Sequence, residues 1–305
     1  MTLLAPFELH RSDTVAEATA LIGEHGDEAV LYCGGTELLL VMKLGFAAYG
    51  HLVDIKPIAE LSGIDVRDGV LRIGAAVTHR AIERSPLVAT GWPKLAAMER
   101  GLANVRVRTT GTLGGNLAFA DPHSDPAAFL LAADARLVLG RGDGRRSLPY
   151  SAFVLGPYTT ALEPGELVVA IEVPALPASS GMAHVRFAFH ERPAVTVSCL
   201  AQVVNGRIAA ARIAVGSVGV SPVRVPAGEA LLVGLGAADP DPVALAAAGE
   251  AAAEASDPVA DANGSAGYKG HLVGVLVGRA VRAAVADALG RGAATHAREE
   301  GKRLT

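Results

Sequence analysis

Thr110-Gly111-Thr112-Leu113-Gly114-Gly115-Asn116 and, earlier in the chain, Cys33-Gly34-Gly35-Thr36-Glu37 are the stretches on which this sequence turns. Each places backbone without a side chain where a bulky anion can approach amide N–H groups. The Cys33–Glu37 stretch, first in the chain, follows a β-like run, Ala29 to Tyr32, and leads into an apolar helix-like run, Leu38 to Leu44. Its amides would therefore lie at the positive end of a helix dipole. The second is expected in a loop, and Ala120-Asp121-Pro122-His123-Ser124-Asp125 follows it with short polar side chains. Two separate cradles suit a diphosphate-bearing ligand better than a monophosphate.

Neither stretch is a nucleotide fingerprint. A dinucleotide-binding turn needs G-x-G-x-x-G, but Asp239 follows Gly234 and Gly236, and Arg145 follows Gly140 and Gly142, where the third glycine belongs. No Walker A sequence occurs. For a lone Gly-Gly pair the plain alternative is a tight turn or a helix start. Two such pairs, each followed by a hydroxyl or amide side chain (Thr36, Asn116), favour a ligand.

Leu31 to Leu39, with Met42-Lys43 after it, resembles the first FAD-binding segment of the flavoprotein (medium) subunit of molybdenum hydroxylases, the carbon monoxide dehydrogenase and xanthine dehydrogenase family. Thr110 to Ala118, followed by Ala120-Asp121-Pro122 and Asp125, resembles the second. Further similar pieces are Leu52-Val53-Asp54-Ile55, Ile73-Gly74-Ala75 with Thr78, Glu163 to Leu167 before Ile171 to Pro174, and Tyr268-Lys269 before Val275 to Ala280. The resemblance runs over residues 3 to 285, and the second glycine segment is its most specific part.

Composition agrees with this reading. The chain has 305 residues, half of them apolar, enough for a large core and about two domains by the usual length prior. Its 27 Lys and Arg against 31 Asp and Glu give a formal net charge of −4, which draws in neither nucleic acid nor an anionic membrane. Apolar runs are short and broken, so no membrane span is expected. Met1 to Glu8 carries no basic n-region or long apolar core, and a cytoplasmic location is expected. Only Cys33 and Cys199 are present, whereas an iron–sulfur cluster takes four thiolates, so electrons must pass to and from other chains. A disulfide between the two is the alternative to a pair of small buried hydrophobes.

Thr14 with Glu17 forms a capping box ahead of Val15, Ala18, Leu21 and Ile22 at helical spacing, with Gly26 just beyond. Strands are predicted at Ala29–Tyr32, His51–Ile55, Leu71–Val77 and Glu166–Val173, and helices after Thr36, after Thr78 and across Asp125–Ala135. Ala175 to Gly181 is read as a linker, rich in Pro, Ser and Gly. Beyond it, Val195–Val204 and Arg207–Val215 flank Asn205-Gly206, which suits a type I′ hairpin turn. Alanine-rich helical patterns follow at Pro226–Val233, Pro242–Ala255 and Leu272–Leu289. The basic run Gly140 to Arg146 is read as a hairpin loop.

The resemblance implies an α+β chain: an FAD-binding domain of the vanillyl-alcohol-oxidase (PCMH) type with two α/β subdomains over 1–176, a smaller C-terminal α+β domain over 182–289, and a mobile tail over 290–305. It implies FAD contacts at Cys33, Gly34, Gly35, Thr36 and Glu37, and at Thr112, Leu113, Gly114, Gly115 and Asn116. Asp125 matches a carboxylate that faces the ribityl chain. Its alternative is to cap the 125–135 helix ahead of Pro126. Arg186 stands where relatives place a lysine near the flavin; its alternative is a solvated arginine at a strand end. Glu191-Arg192-Pro193-Ala194 replaces a Gly-Asp pair of the family, and Pro193 cannot do what an aspartate does there. No catalytic residue and no metal ligand is assigned in this chain. Asp121, His123 and Asp125 suit a solvated loop better than a metal site.

By the same resemblance the chain is an electron-transfer subunit. A large molybdopterin subunit hydroxylates substrate, a small subunit relays electrons through two [2Fe–2S] clusters, and FAD here collects them for an external acceptor. The assembly expected is a heterotrimer doubled by two-fold symmetry. The alternatives are a self-contained FAD-dependent reductase of the same broad fold, and a flavin-free interaction module in which the glycine stretches are only turns.

Overall fold

The computed structural model describes residues 4–303, and side chains through residue 291. The chain forms two compact units: Met1–Asp121 with Asp134–Pro174, and Pro122–Ala133 with Ala175–Thr305.

In the first unit, β1 (Glu8–Arg11) leads into α1 (Val15–His25). The Thr14 side chain accepts the Glu17 N–H, and the Glu17 carboxylate accepts the Asp13 N–H at 2.9 Å, so the cap predicted from spacing forms. Gly26 ends the helix at a positive φ of 53°. β2 (Ala29–Tyr32), α2 (Leu38–Lys43) and β3 (His51–Asp54) follow, and the strands pair in parallel in the order β1-β3-β2. Each crossover between these strands carries a helix, as parallel pairing requires.

The second sheet of this unit is antiparallel. It contains β4 (Ile64–Arg67) and β5 (Val70–Gly74). Four short helices follow: α3 (His79–Arg84), α4 (Pro86–Gly91), α5 (Pro93–Gly101) and α6 (Val105–Thr110). After α7 (Leu113–Phe119) the chain enters α8 (Asp125–Ala132), which belongs to the second unit. It then returns as the hairpin β6 (Arg136–Arg141) and β7 (Gly144–Pro149), the small β8 (Val154–Gly156) and β9 (Thr159–Thr160), and β10 (Leu167–Pro174). The order is β4-β5-β10-β6-β7, which makes β10 the central strand and explains its nearly continuous apolar sequence. Leu167 and Val169 of β10 join Val15, Ala18, Val53, Ile55, Ile58 and Leu61 in one buried cluster. Each large side chain so buried contributes about 1.5–3 kcal/mol.

The second unit is a sheet in the order β11 (Ser180–Phe187), β12 (Val195–Val204), β13 (Arg207–Gly216) and β14 (Val223–Arg224), with α8, α9 (Pro226–Leu232), α10 (Pro242–Ala255) and α11 (Ala266–Arg303). Asn205 and Gly206 both have positive φ, 50° and 71°, as the type I′ reading requires. Val197, Cys199, Ile213, Val277 and Val281 lie in its core.

Four expectations are corrected. The second glycine stretch is no loop, since Leu113 onward is helical and Thr112 caps it. The cap of α8 is Ser124, so Asp125 occupies the first turn instead of the cap, and the helix stops at Ala132. The linker reading fails from Ser180, because Ser180 and Gly181 already pair with Gln202 and Ala201. The helix expected over Leu272–Leu289 runs from Ala266 to Arg303, across most of the stretch read as a tail, of which 304 and 305 lie outside the described residues.

Candidate functional site

β2 ends at Tyr32, whose carbonyl accepts the Ile55 N–H at 3.0 Å, and the chain then turns through Cys33 to Glu37. Gly35 has a φ of 69°, a left-handed conformation that favours glycine, and a Cβ there would stand 2.5 Å from the Tyr32 ring. α2 donates its first hydrogen bonds to this turn, Leu39 N–H to the Gly35 carbonyl and Val41 N–H to that of Glu37, both at 3.0 Å. Among the described residues the amide N–H groups of Gly35 and Thr36 have no acceptor. They are the pair of donors this turn leaves for an anion.

The second stretch is delivered by α6. Asn104 caps that helix, accepting from Arg106 N–H at 2.8 Å and Val107 N–H at 3.1 Å. Arg108 anchors it, donating to Glu83 Oε2 at 3.1 Å and to the Leu102 carbonyl at 2.8 Å. Burial works to raise the Glu83 carboxyl, but the hydrogen bonds from Arg80 and Arg108 outweigh it and hold the group below the usual range. Gly111 then donates to the Val107 carbonyl at 2.7 Å and accepts the His79 N–H at 3.1 Å.

From Leu113 onward the backbone donors are already used. Leu113 N–H binds the Val77 carbonyl at 3.1 Å, Gly114 N–H that of Ala75 at 3.0 Å, and Asn116 N–H that of Thr112 at 2.9 Å. Gly115 N–H binds Thr112 Oγ1 at 3.2 Å. Gly114 is glycine for packing: a Cβ would lie 2.6 Å from the Ala75 carbonyl oxygen and 2.7 Å from its Cα. From Leu113 onward the second stretch is therefore a wall of the cradle, and the first stretch supplies two free amides.

The two stretches touch. A Cβ on Gly34 would collide with the Thr110 carbonyl and stand 2.8 Å from Gly111 Cα. The Thr112 side chain hydrogen-bonds the Cys33 thiol. A Cβ on Gly111 would meet Thr36 Oγ1 and His79 Cδ2, each at 3.4 Å. Residues 33–36 and 110–112, far apart in sequence, thus form one surface that only glycine allows to close.

Three side chains beside this surface escaped the sequence reading. Lys56 Nζ lies 3.9 Å over the Tyr32 ring, 3.1 Å from Asp54 Oδ1 and 3.4 Å from the Cys33 carbonyl. His79 Nδ1 is 2.7 Å from Glu99 Oε2 in a wholly buried pair behind Gly111. Their only sequence signals were adjacency, Lys56 to the quoted Asp54-Ile55 and His79 to Thr78. Burial pushes the Cys33 thiol up, against the Thr112 hydrogen bond and Lys56, and so keeps it from acting as a thiolate. Cys199 is buried and pushed up to about 12, by burial and then by Glu229. Both cysteines are free thiols, so the disulfide alternative does not hold.

In the second unit Asp125 and Arg186, two residues singled out from sequence, come together. Arg186 Nε is 3.2 Å from Asp125 Oδ1, and His184 Nε2 is 3.7 Å from the same oxygen. His184 Nδ1 is itself 2.8 Å from Ser198 Oγ, and Arg186 Nη2 donates to the Glu191 carbonyl at 2.8 Å. The Glu191–Ala194 segment is thereby tied to Arg186 through backbone, a contact indifferent to Pro193. His123 turns elsewhere, to Asp261 Oδ2 at 3.0 Å, which also takes Lys269 Nζ at 2.6 Å. His123 and Asp125 thus turn to different side chains, Asp261 and Arg186.

Residues 5–176 match the family model of the FAD binding domain in molybdopterin dehydrogenase, and residues 188–284 that of the CO dehydrogenase flavoprotein C-terminal domain. The chain belongs to the FAD-binding medium subunits of the molybdopterin dehydrogenases. It is 36% identical over 280 residues to the carbon monoxide dehydrogenase medium chain of Hydrogenophaga pseudoflava, covering 91% of this chain and 96% of that one. It is 33% identical over 220 residues to a putative xanthine dehydrogenase FAD-binding subunit of Escherichia coli, covering 70% of this chain and 75% of that subunit. Among solved structures, carbon monoxide dehydrogenase from H. pseudoflava superposes with a TM-score of 0.90 over 94% of this chain and 99% of that one, at 36% identity. Quinoline 2-oxidoreductase from Pseudomonas putida gives 0.88 at 28% identity, over 94% of this chain and 99% of that one. Family membership makes FAD the expected ligand, and the donors present fit it: two free amides, a threonine hydroxyl and a nearby ammonium.

Proposed function

We propose that this chain is the FAD-carrying electron-transfer subunit of a molybdenum hydroxylase, receiving electrons from the [2Fe–2S] clusters of a small subunit and passing them to an external acceptor. The closure of the two glycine stretches onto each other, with the Gly35 and Thr36 amides left over, carries the reading. In it, those amides and the Thr36 hydroxyl hold the diphosphate. Lys56 adds positive charge. Cys33, Gly34 and Glu37, with Thr112, Leu113, Gly114, Gly115 and Asn116, shape the pocket wall. Asp125, held by Arg186, offers its remaining acceptor capacity to sugar hydroxyls.

Bound FAD supplies one- and two-electron transfer. The chain's own residues bind it, orient it and exclude water; none of those described needs to act as nucleophile or general base. The large molybdopterin subunit would determine the substrate, in an assembly of three chains doubled by two-fold symmetry. The test is anaerobic mixing of the isolated chain, and of its purified complex, with aldehydes, purines or carbon monoxide, followed at the flavin absorbance. A substrate should bleach the complex and leave the isolated chain oxidised. Reduction of the isolated chain by substrate alone contradicts the proposal.

A further inference from the structure

Three histidines outside the glycine surface converge in the first unit. His10 lies in β1, His51 opens β3, and His25 ends α1. β1 and β3 pair in register with Glu8 opposite His51, so His10, two residues beyond Glu8 on the same face, stands next to His51. His10 Nε2 is 2.9 Å from His51 Nδ1. The last turn of α1 brings the His25 ring over the other two, its centroid 3.8 Å from that of His51 and 5.2 Å from that of His10. One ligand nitrogen from each ring falls within 4.8 Å of the others. The Glu8 carboxylate borders the cluster, 4.0 Å from His10 Nδ1, the other nitrogen of that ring, and 3.9 Å from His51 Nδ1, so it would reach an ion held there by rotating its exposed side chain.

We propose that His10, His25 and His51, with Glu8 as fourth donor, bind one zinc ion. Three neutral imidazoles and a carboxylate are borderline nitrogen and oxygen donors, a set that suits zinc in four-coordinate geometry. With bonds of about 2.0–2.1 Å, a tetrahedral ion holds its nitrogens about 3.3 Å apart; His10 Nε2 and His51 Nδ1, 2.9 Å apart, stand near that spacing, and the His25 ring, now stacked on His51, would turn to aim its nitrogen at the ion. The His10 and His51 side chains are only 17% and 21% exposed, so the ion would be shielded on the protein side, with Glu8, 67% exposed, closing the solvent side. Its ligands come from the end of one helix and from two paired strands, so the ion would fasten α1 to the edge of the parallel sheet. The role is structural, and neither the glycine surface nor electron transfer depends on it.

The test uses the full-length chain with any affinity tag removed, stripped with EDTA and dialysed, then titrated with Zn²⁺ against a chromophoric chelator. One equivalent should bind, and the melting temperature should rise. Replacing a ligand's hydrogen-bonding partner alone costs about 10–100-fold in metal affinity, so His25→Asn and His51→Asn, which remove a ligand, should weaken binding by about 100-fold or more. His190→Asn, at an exposed position of the second unit, should not. Should a variant fail to fold, Co²⁺ on the wild-type chain decides: an intense visible band of four-coordinate cobalt is expected. No bound zinc, equal stoichiometry and affinity in both histidine variants, or a weak six-coordinate cobalt spectrum overturns the proposal.

Discussion

Thr36 is the residue at which binding and folding separate most cleanly. Its hydroxyl faces Gly111 and its amide has no acceptor among the described residues, so Thr36→Val removes one polar group with almost no change in shape. A net hydrogen bond contributes about 0.5–1.5 kcal/mol, so FAD affinity should fall about 3–10-fold while the flavin-free melting temperature holds. Gly35→Val is harsher, since a β-branched side chain at this positive φ would also strike the Tyr32 ring, and flavin should be lost outright. Calorimetric titration of both variants with FAD checks the order. Asp125→Ala tests the other unit. It strips the buried anion from between Arg186 and His184, so it should lower stability by about 1–3 kcal/mol even without flavin. Equal denaturant midpoints for wild type and variant, both flavin-free, would show that Asp125 serves the ligand alone.

At the scale of elements, carboxylate–arginine and carboxylate–lysine pairs tie pieces of the fold together, and they make stability depend on pH. Hydrogen bonding to Arg145 lowers Glu60, and hydrogen bonding to Arg146 lowers Glu166. Burial opposes the shift at Glu83 and Asp261, yet Arg80 and Arg108 prevail at the first, and Lys269 with His123 brings the second to about 2. Each carboxyl therefore takes its proton at lower pH in the folded chain than in the unfolded one, whose ordinary values are 4.5 for glutamate and 3.8 for aspartate. The unfolded state binds more protons in that window, so stability is full above it and falls as pH drops through it. Melting from pH 7 to pH 3 should show a flat upper range and a decline below about 4.5; a melting temperature that rises on acidification would contradict these pairings. Gly114→Val belongs to the same scale. It should unseat α7 from Ala75 at a cost of about 1–3 kcal/mol or more, so any flavin loss would come with loss of the fold, visible in circular dichroism.

The same scale shows where sequence is legible. β2, β12, α10 and the Asn205-Gly206 turn lie where their local chemistry placed them, because propensity, pattern and turn residues all agree there. The second glycine stretch misled because Gly-Gly is a poor helix former. It is helical because Thr112 caps it and Gly114 packs on Ala75, a partner 39 positions earlier in the numbering. Ser180 and Gly181 look like linker in sequence because their strand partners, Gln202 and Ala201, lie beyond the next turn of chain. At the site, the glycines and Thr36 were legible as motifs. The division of labour between the stretches was not, since it depends on which amides are already bonded. Lys56, the His79–Glu99 pair and the three histidines carry no spacing signature and meet only through tertiary structure.

For the whole molecule, the formal net charge is −4, and among the described residues no helix is long and apolar enough to cross a membrane. The central claim is that this fold carries FAD on the surface where residues 33–36 meet 110–112. The most direct measurement is the thermal transition of the full-length, verified flavin-free chain as FAD is raised from below to far above its dissociation constant, with Thr36→Val run beside it. The account predicts one FAD per chain and a transition that climbs with FAD, by about 2.7 kcal/mol of added stability at about 100 times the dissociation constant. The Thr36→Val curve should be displaced to higher FAD. A transition that FAD does not move, or an identical curve for Thr36→Val and Gly35→Val as for the wild type, would contradict it.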